Sequence, residues 1–337
     1  MDNKVCLVIT SINSSKNKVL NDYAKACGEN NTGFILAGDL KSPSDFDLPG
    51  CEFLDIKTQK QLPFNMAGIL PDNNYAKKNL AYLQAIKKGY NIIVETDDDN
   101  IPFEQFWEAR TPGVYGNLLE DKSWVNVYKY FSEENIWPRG FSLSKIRDAV
   151  HKITGAAATY HCPVQQGLAD ENPDVDAIYR LTMPLPVYFD KRSAVVLGNK
   201  SICPFNSQNT TWFKQAFALM YLPSYCSFRM TDIWRSFVAQ RILWTCGWHL
   251  AFHNATVYQQ RNEHDLMRDF KDEISGYLHN DQIVSDLCDL DLKAGEAHIA
   301  ENMLSCYRLL IEKKHIGEQE MPLLEAWLKD LENLMLG

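Results

Sequence analysis

The stretch 91–102 reads NIIVETDDDNIP. Ile92, Ile93 and Val94 form a β-branched apolar run, the composition of a buried strand. The run passes directly into Asp97, Asp98 and Asp99, followed by Asn100 and Pro102. In an open α/β sheet, ligands bind at the carboxyl ends of the strands, and these aspartates follow such an end. Carboxylate oxygens suit Mg²⁺ or Mn²⁺, ions that keep water and substrate phosphate in their shells. Asp97, Asp98 and Asp99 are therefore candidates to hold a divalent cation and the phosphate of its ligand. The alternative is a solvated acidic turn.

Upstream, Pro71-Asp72-Asn73-Asn74 is a helix-start signal. The spacing of Tyr75, Leu80, Leu83 and Ile86 predicts a helix with one buried face, stopped near Lys88 by Gly89. Lys77 and Lys78 fall in its first turn, where cations oppose the helix dipole. Sharing a phosphate with the free backbone N–H groups removes that conflict; otherwise both lysines point into water. Residues 4–10 (KVCLVIT) and 33–37 (GFILA) read as strands with a helix between them, ending near Cys27. This is the βαβ opening of a parallel sheet. No GxGxxG follows the first strand, so the dinucleotide fingerprint is absent. Polar residues at strand ends can contact a base or ribose instead. Thr10 and Asp39 hold those places, Asp39 with a turn role as its alternative.

Downstream, residues 124–130 read as a strand. Arg139 lies between Pro138 and Gly140 on a loop, where a guanidinium can fork onto phosphate or carboxylate. Asp170, Glu171, Asp174 and Asp176 form a second acidic cluster, read as a solvated loop below a helix start. Short strands follow at 185–189 and 194–197, then a polar loop at 204–209 and a helix at 212–221. Thr231 or Asp232 caps a helix over 233–243; alternatively, the Asp232 carboxylate orients an acceptor hydroxyl or takes its proton. Within 257–274 a charged helix is entered at Arg261 or Asn262. It carries His264, a candidate metal ligand or phosphate contact. Residues 281–336 are helical by pattern. The expected organisation is one catalytic domain over 1–275 with a helical extension over 276–337.

The chain has 337 residues, 45% of them hydrophobic and 23% charged, which allows a sizeable core. A net charge of −9 argues against nucleic acid as a partner. The nine cysteines include no CxxC pair, which fits reduced thiols in a cytosol. No signal-peptide pattern or transmembrane span is read. The expectation is a cytoplasmic protein, at most peripheral to a membrane and compatible with a homo-oligomer.

Six ordered segments carry a family resemblance: YAKKNLAYLQAIKKG (75–89), ETDDDNIP (95–102), WPRGF (137–141), PDVDAIYRLT (173–182), PFNSQNT (204–210) and FRMTDIWRSFVAQRILW (228–244). Over about residues 4–275 the chain resembles the STELLO glycosyltransferase family. That family is similar to the reversibly glycosylated polypeptides, the plant UDP-arabinopyranose mutases. The resemblance implies a GT-A fold with a Rossmann-like mixed sheet. It also implies a DxD site, here Asp97 and Asp99, holding a UDP-sugar diphosphate through Mn²⁺ or Mg²⁺. Lys77, Lys78 and Asn79 match the basic helix start facing the nucleotide. Arg139 matches the arginine of the mutases' RGYPF-like segment, linked there to covalent sugar attachment; this chain has RGFSL. Asp232 matches the last aspartate of their DDMW-like segment, with Thr231 before it here. The expected activity is metal-dependent glycosyl transfer from a UDP-sugar to a glycan, lipid-linked or protein acceptor, with Asp232 and Arg139 as catalytic residues. The alternatives are a UDP-sugar mutase and a non-catalytic partner that kept the fold.

Overall fold

The computed structural model describes residues 3–150, 153, 155–260 and 265–336. Its strands are β1 (Val5–Thr10), β2 (Gly33–Ala37), β3 (Glu52–Leu54), β4 (Ile92–Thr96), β5 (Asn100–Pro102), β6 (Gly113–Leu119), β7 (Ala158–His161), β8 (Val164–Asp170), β9 (Ala194–Leu197), β10 (Asn209–Phe213) and β11 (Leu250–Gln259). The helices are α1 (Lys18–Glu29), α2 (Ile56–Gln61), α3 (Lys78–Lys87), α4 (Ala177–Thr182), α5 (Thr231–Thr245), α6 (Leu266–Asp289), α7 (Ile299–Glu312) and α8 (Glu320–Leu336).

One mixed sheet runs β3-β2-β1-β4-β10-β8-β11-β9-β6-β7, with β5 paired to β11. The first four strands are mutually parallel; β10 then lies antiparallel between β4 and β8. The order 3-2-1-4 reverses direction between β1 and β4, which opens a crevice at their carboxyl ends. β1 is apolar from Val5 to Ile9 because both of its faces are covered. Leu7 and Ile9 pack with Leu20 and Tyr23 of α1, while Cys6 and Val8 belong to the core on the α3 side. Asn17 caps α1 by accepting the Leu20 N–H, and Asn74 caps the turn into α3. Gly89, at φ +81, ends that helix as its sequence position predicts. The expected α/β class, with a mixed sheet and a helical C-terminal part, is what the structure has.

Several expected elements differ. Residues 124–130 form no strand: Val127–Tyr130 is a 3₁₀ turn and Trp124 makes a single bridge to Ile202. Val125, Val127 and Tyr128 are apolar because the turn itself is buried. The neighbouring strand is β6, earlier in the chain. Residues 185–189 contribute one bridge, Glu171 to Val187, since Pro186 has no N–H for a ladder. The helix expected at 212–221 is instead the end of β10 and a 3₁₀ segment, Lys214–Met220. The segment 257–274 divides between β11 and α6, whose cap is Asp265, accepting from Met267 N and Arg268 N. α5 begins at Thr231, so neither Thr231 nor Asp232 is its cap.

The boundary expected at 275 falls inside α6. The C-terminal helices share the central core through Ile283, Leu310 and Trp327. Buried carboxylates tie them down as well. Glu320 accepts the Ser224 and Tyr225 N–H groups, and Asp330 accepts those of Asn65 and Met66. No described helix is long and apolar enough to cross a membrane.

Candidate active site

The three aspartates leave β4 and are held by the turn into β5. Asn100 is fully buried. Its amide donates to Thr96 Oγ1 at 3.1 Å and to Gln208 O at 3.0 Å, and the Asp99 carbonyl accepts from Gln260 N at 3.0 Å. The turn is therefore fixed by β10 and β11 on either side. Asp97, Asp98 and Asp99 line an open cleft of about 260 Å³ together with Thr10, Tyr75, Arg139 and Asp232.

Each aspartate has its own environment. Asp97 lies 3.6 Å from Lys78 Nζ and 3.3 Å from the Tyr75 hydroxyl. Burial pushes its carboxyl up to about 7, against the pull of Lys78 and with the help of the neighbouring carboxylates. Asp98 accepts from Ser11 Oγ and from Asn13 Nδ2; burial raises its pKa, and the Ser11 bond moderates the rise. Asp99 accepts from Gln259 Nε2 on both oxygens, at 3.0 and 3.1 Å.

Lys78 is wholly buried beneath this cluster. Its ammonium donates to Tyr75 Oη at 2.9 Å, to Thr96 O at 3.2 Å and to Ser207 O at 3.4 Å. Of the two lysines it alone reaches the aspartates, because Lys77 is turned to Asp72 at 2.7 Å. Two further expected site residues do not join the cleft. Asn79 spends its amide on Leu222, donating to the carbonyl and accepting from the N–H, which pins α3 to the segment before Pro223. Asp39 holds the turn leading to α3, accepting the N–H groups of Leu40, Asn73 and Asn74. Thr10 does line the cleft, and its Oγ1 has no hydrogen-bond partner among the described residues. His264 lies outside the described residues.

Arg139 and Asp232 meet on the far wall. The guanidinium forks onto Asp232 at 3.0 and 2.9 Å and onto Asp174 at 2.8 Å twice, and it also donates to the Arg229 carbonyl. All of its N–H groups are thus engaged. Burial works against this cation, but the paired carboxylates hold its pKa well above the ordinary value. Burial alone would raise the Asp232 pKa; Arg139 instead holds it below the usual carboxylate range, and the Ser207 N–H adds to this at 3.2 Å. A carboxylate so placed is a weak proton acceptor. The structure makes Asp232 the second jaw of an arginine clamp. Gly140, at φ +83, allows the clamp: a Cβ there would stand 2.4 Å from Ile233 of α5.

Sequence reading passed over several members of this site. Asp174 comes from the acidic cluster taken for a solvated face, and Tyr75 was assigned to the buried side of α3. Ser207, Gln259 and Arg229 carried no motif of their own. The Tyr75 hydroxyl lies 2.5 Å from Ser207 Oγ, which is 3.3 Å from Asp232, so one network joins the aspartate triplet to the clamp. Below it, the buried Glu95 pairs with Arg235 of α5 at 2.8 Å and accepts the Trp212 N–H at 2.8 Å.

The fold and site define a chain with a doubly wound half-sheet, acidic side chains at its switch point and a mixed sheet beyond. Residues 229–337 match the family described as STELLO glycosyltransferases. Over 327 residues, 90% of this chain, it is 27% identical to the probable glycosyltransferase STELLO2 of Arabidopsis thaliana. It is 25% identical to STELLO1 of the same plant over 321 residues, 88% of the chain. The chain spans about 41% of the length of these relatives. The resemblance carried by the six sequence segments is thereby borne out. Among solved structures, the glucosyl-3-phosphoglycerate synthase from Mycobacterium tuberculosis in complex with Mn²⁺, UDP-glucose and phosphoglyceric acid matches at 10% identity. That match has a TM-score of 0.43 and covers 82% of this chain and 79% of the other.

Proposed function

We propose that this chain is a GT-A glycosyltransferase domain that moves a sugar from a nucleotide-diphosphate donor, a UDP-sugar, to a glycan, lipid-linked or protein acceptor. The observation that carries the reading is the placement of Asp97 and Asp99 at the β1/β4 switch point, where this sheet type binds ligands. Similarity to two probable glycosyltransferases over nine-tenths of the chain supports the same class.

The residues fit a divalent cation. Asp97 resists ionisation in its metal-free surroundings, and a cation beside it would relieve this. The donors are hard oxygens, as Mg²⁺ and Mn²⁺ prefer. Among the described residues no group of three acidic, histidine or cysteine side chains is preassembled around a metal position. Asp97 and Asp99 would thus hold the ion with water and phosphate oxygens completing its shell. When bound, such a cation stabilises negative charge on the departing diphosphate. Lys78 adds a fixed positive charge behind Asp97, and Gln259 holds the Asp99 carboxylate in one orientation. Thr10 stands at the nucleotide end of the crevice. The Arg139 clamp shapes the acceptor side and positions the loop before α5; Asp232 acts there as a positioning residue.

The test is thermal unfolding with UDP in Mn²⁺ and in EDTA, since a ligand of the native state raises apparent stability. UDP should stabilise the wild type only with the metal, and Asp99→Asn should lose the effect. Equal stabilisation in EDTA would refute the reading. UDP-sugar turnover with and without added acceptors then separates transfer from mutase chemistry.

A further inference from the structure

A second cavity, of about 620 Å³, opens away from the aspartates on the other face of the sheet. Side-chain alternation places it there. On β10, Trp212 joins the core beneath α5, while Asn209 and Thr211 line the cavity; on β8, Val164 points to the core and Gln165 to the cavity. Arg110 lies in this cavity, in the loop between β5 and β6. Its guanidinium donates to Thr211 Oγ1 at 3.2 Å, to Glu108 O at 3.4 Å and to Phe106 O, and lies 5.3 Å from the Phe106 ring centroid. One N–H on each terminal nitrogen is left without an acceptor among the described residues. No carboxylate among the described residues pairs with it. Glu108 and Asp170 also line the cavity, but Asp170 accepts the Phe189 N–H at 2.9 Å.

We propose that this cavity is a binding site for a small organic anion, with a phosphate or carboxylate group forked onto Arg110 and an apolar body against Phe103, Val114 and Phe189. Arg110 is half-buried, and a partly desolvated cation with no carboxylate partner among the described residues is unfavourable; the desolvation lowers its pKa to about 10. An anion supplies the missing partner in the planar geometry that guanidinium prefers. His253 extends the polar floor. Gln165 uses its Nε2 on the carbonyls of Thr111 and Cys162, so its Oε1 accepts the His253 Nε2–H at 3.1 Å. The other ring nitrogen, Nδ1, makes no hydrogen bond to the described residues. Burial, with Arg110 beside it, lowers the His253 pKa to about 4, so the ring is neutral and does not compete for the anion.

Calorimetric titration of the full chain with phenyl phosphate, and separately with benzoate, tests the site and distinguishes the two acidic groups. At least one probe should bind at a single site in the presence of Mn²⁺ and UDP. Arg110→Met should weaken it by roughly ten- to hundredfold, the scale of charge-assisted hydrogen bonds, whereas Lys78→Met should leave it unchanged. Absence of binding by either probe at millimolar concentration would overturn the proposal. So would equal affinity in Arg110→Met, or displacement by UDP. Should Arg110→Met fail to fold, the His253 imidazole nitrogen resonances of the wild type decide: the bound probe must shift them, and unmoved resonances overturn the site.

Discussion

Replacing Asp97 by Asn should make the metal-free protein more stable at neutral pH and abolish its response to metal. The folded-state pKa is raised from 3.8 to about 7. The fold therefore binds this proton more tightly than the unfolded chain does. The stability it contributes is full below about pH 4, the unfolded value, and is lost as pH rises through about 7. Asn mimics the protonated form, and the raised pKa already includes the attraction of Lys78. The difference between 3.8 and about 7 has a ceiling near 4 kcal/mol. The side chain is 32% exposed to the cleft, and screening reduces the expected gain to about 1–2 kcal/mol. With an unfolding entropy of about 2.1 cal/mol/K per residue, that is a rise in Tm of about 1.5–3 °C. The assay is thermal unfolding in EDTA from pH 4 to 8, repeated at pH 8 with Mn²⁺ and UDP. The variant's advantage should be smallest at pH 4, grow to pH 7 and then level. Metal and nucleotide should reverse the order by stabilising the wild type alone. A variant that is less stable at pH 8, or whose advantage is independent of pH, would refute the reasoning.

Lys78→Ala should weaken UDP binding in Mn²⁺ by about 1–3 kcal/mol, measured by calorimetry, while Lys77→Ala should leave it near wild type; equal losses would contradict the placement of their ammonium groups. Asp232→Asn should lower stability in urea unfolding by about 1–3 kcal/mol, less than the 3–5 kcal/mol typical of a broken buried pair, because Arg139 keeps Asp174. A variant as stable as wild type would show that the clamp does not hold the loop. After incubation with UDP-sugars and Mn²⁺, the intact mass should be unchanged, since every Arg139 N–H is occupied; a sugar adduct mapped to Arg139 would overturn that picture.

Local pattern made β1, β2 and β4 legible, because each is a continuous apolar run ended by polar residues. The aspartates were legible as candidates for the same reason: they follow the end of such a run, the edge at which this sheet type binds ligands. Arg139 and Asp232 were singled out by their loop and helix-start positions and by resemblance, but their mutual clamp was not, since 93 residues separate them in sequence. Lys77 and Lys78 are adjacent and chemically identical; only the helical rotation between them sends one to Asp72 and the other under Asp97. Residues 124–130 were misread because a buried irregular turn and a buried strand have the same apolar composition. Asp174 was missed because an acidic cluster signals solvent until a buried arginine is seen to need it.

The charges of the cleft explain why donor binding should depend on metal. Asp97, Asp98, Asp99, Asp174 and Asp232 line it, together with Arg139, Arg180 and Arg229. Arg139 is committed to two of the carboxylates, and Arg229 pairs with Glu273 of α6 at 2.8 Å. Arg180 donates to the Pro173 carbonyl at 2.9 Å. Lys78, with its side chain fully buried, lies 3.6 Å from Asp97. A diphosphate entering this cleft without a counter-ion would meet carboxylates at close range in a poorly screened environment, where like charges repel strongly. The described arginines therefore fix the walls, and on the proposed reading a divalent cation held by Asp97 and Asp99 would carry the donor's phosphate charge. The same carboxylates would, without that cation, oppose rebinding of a free diphosphate.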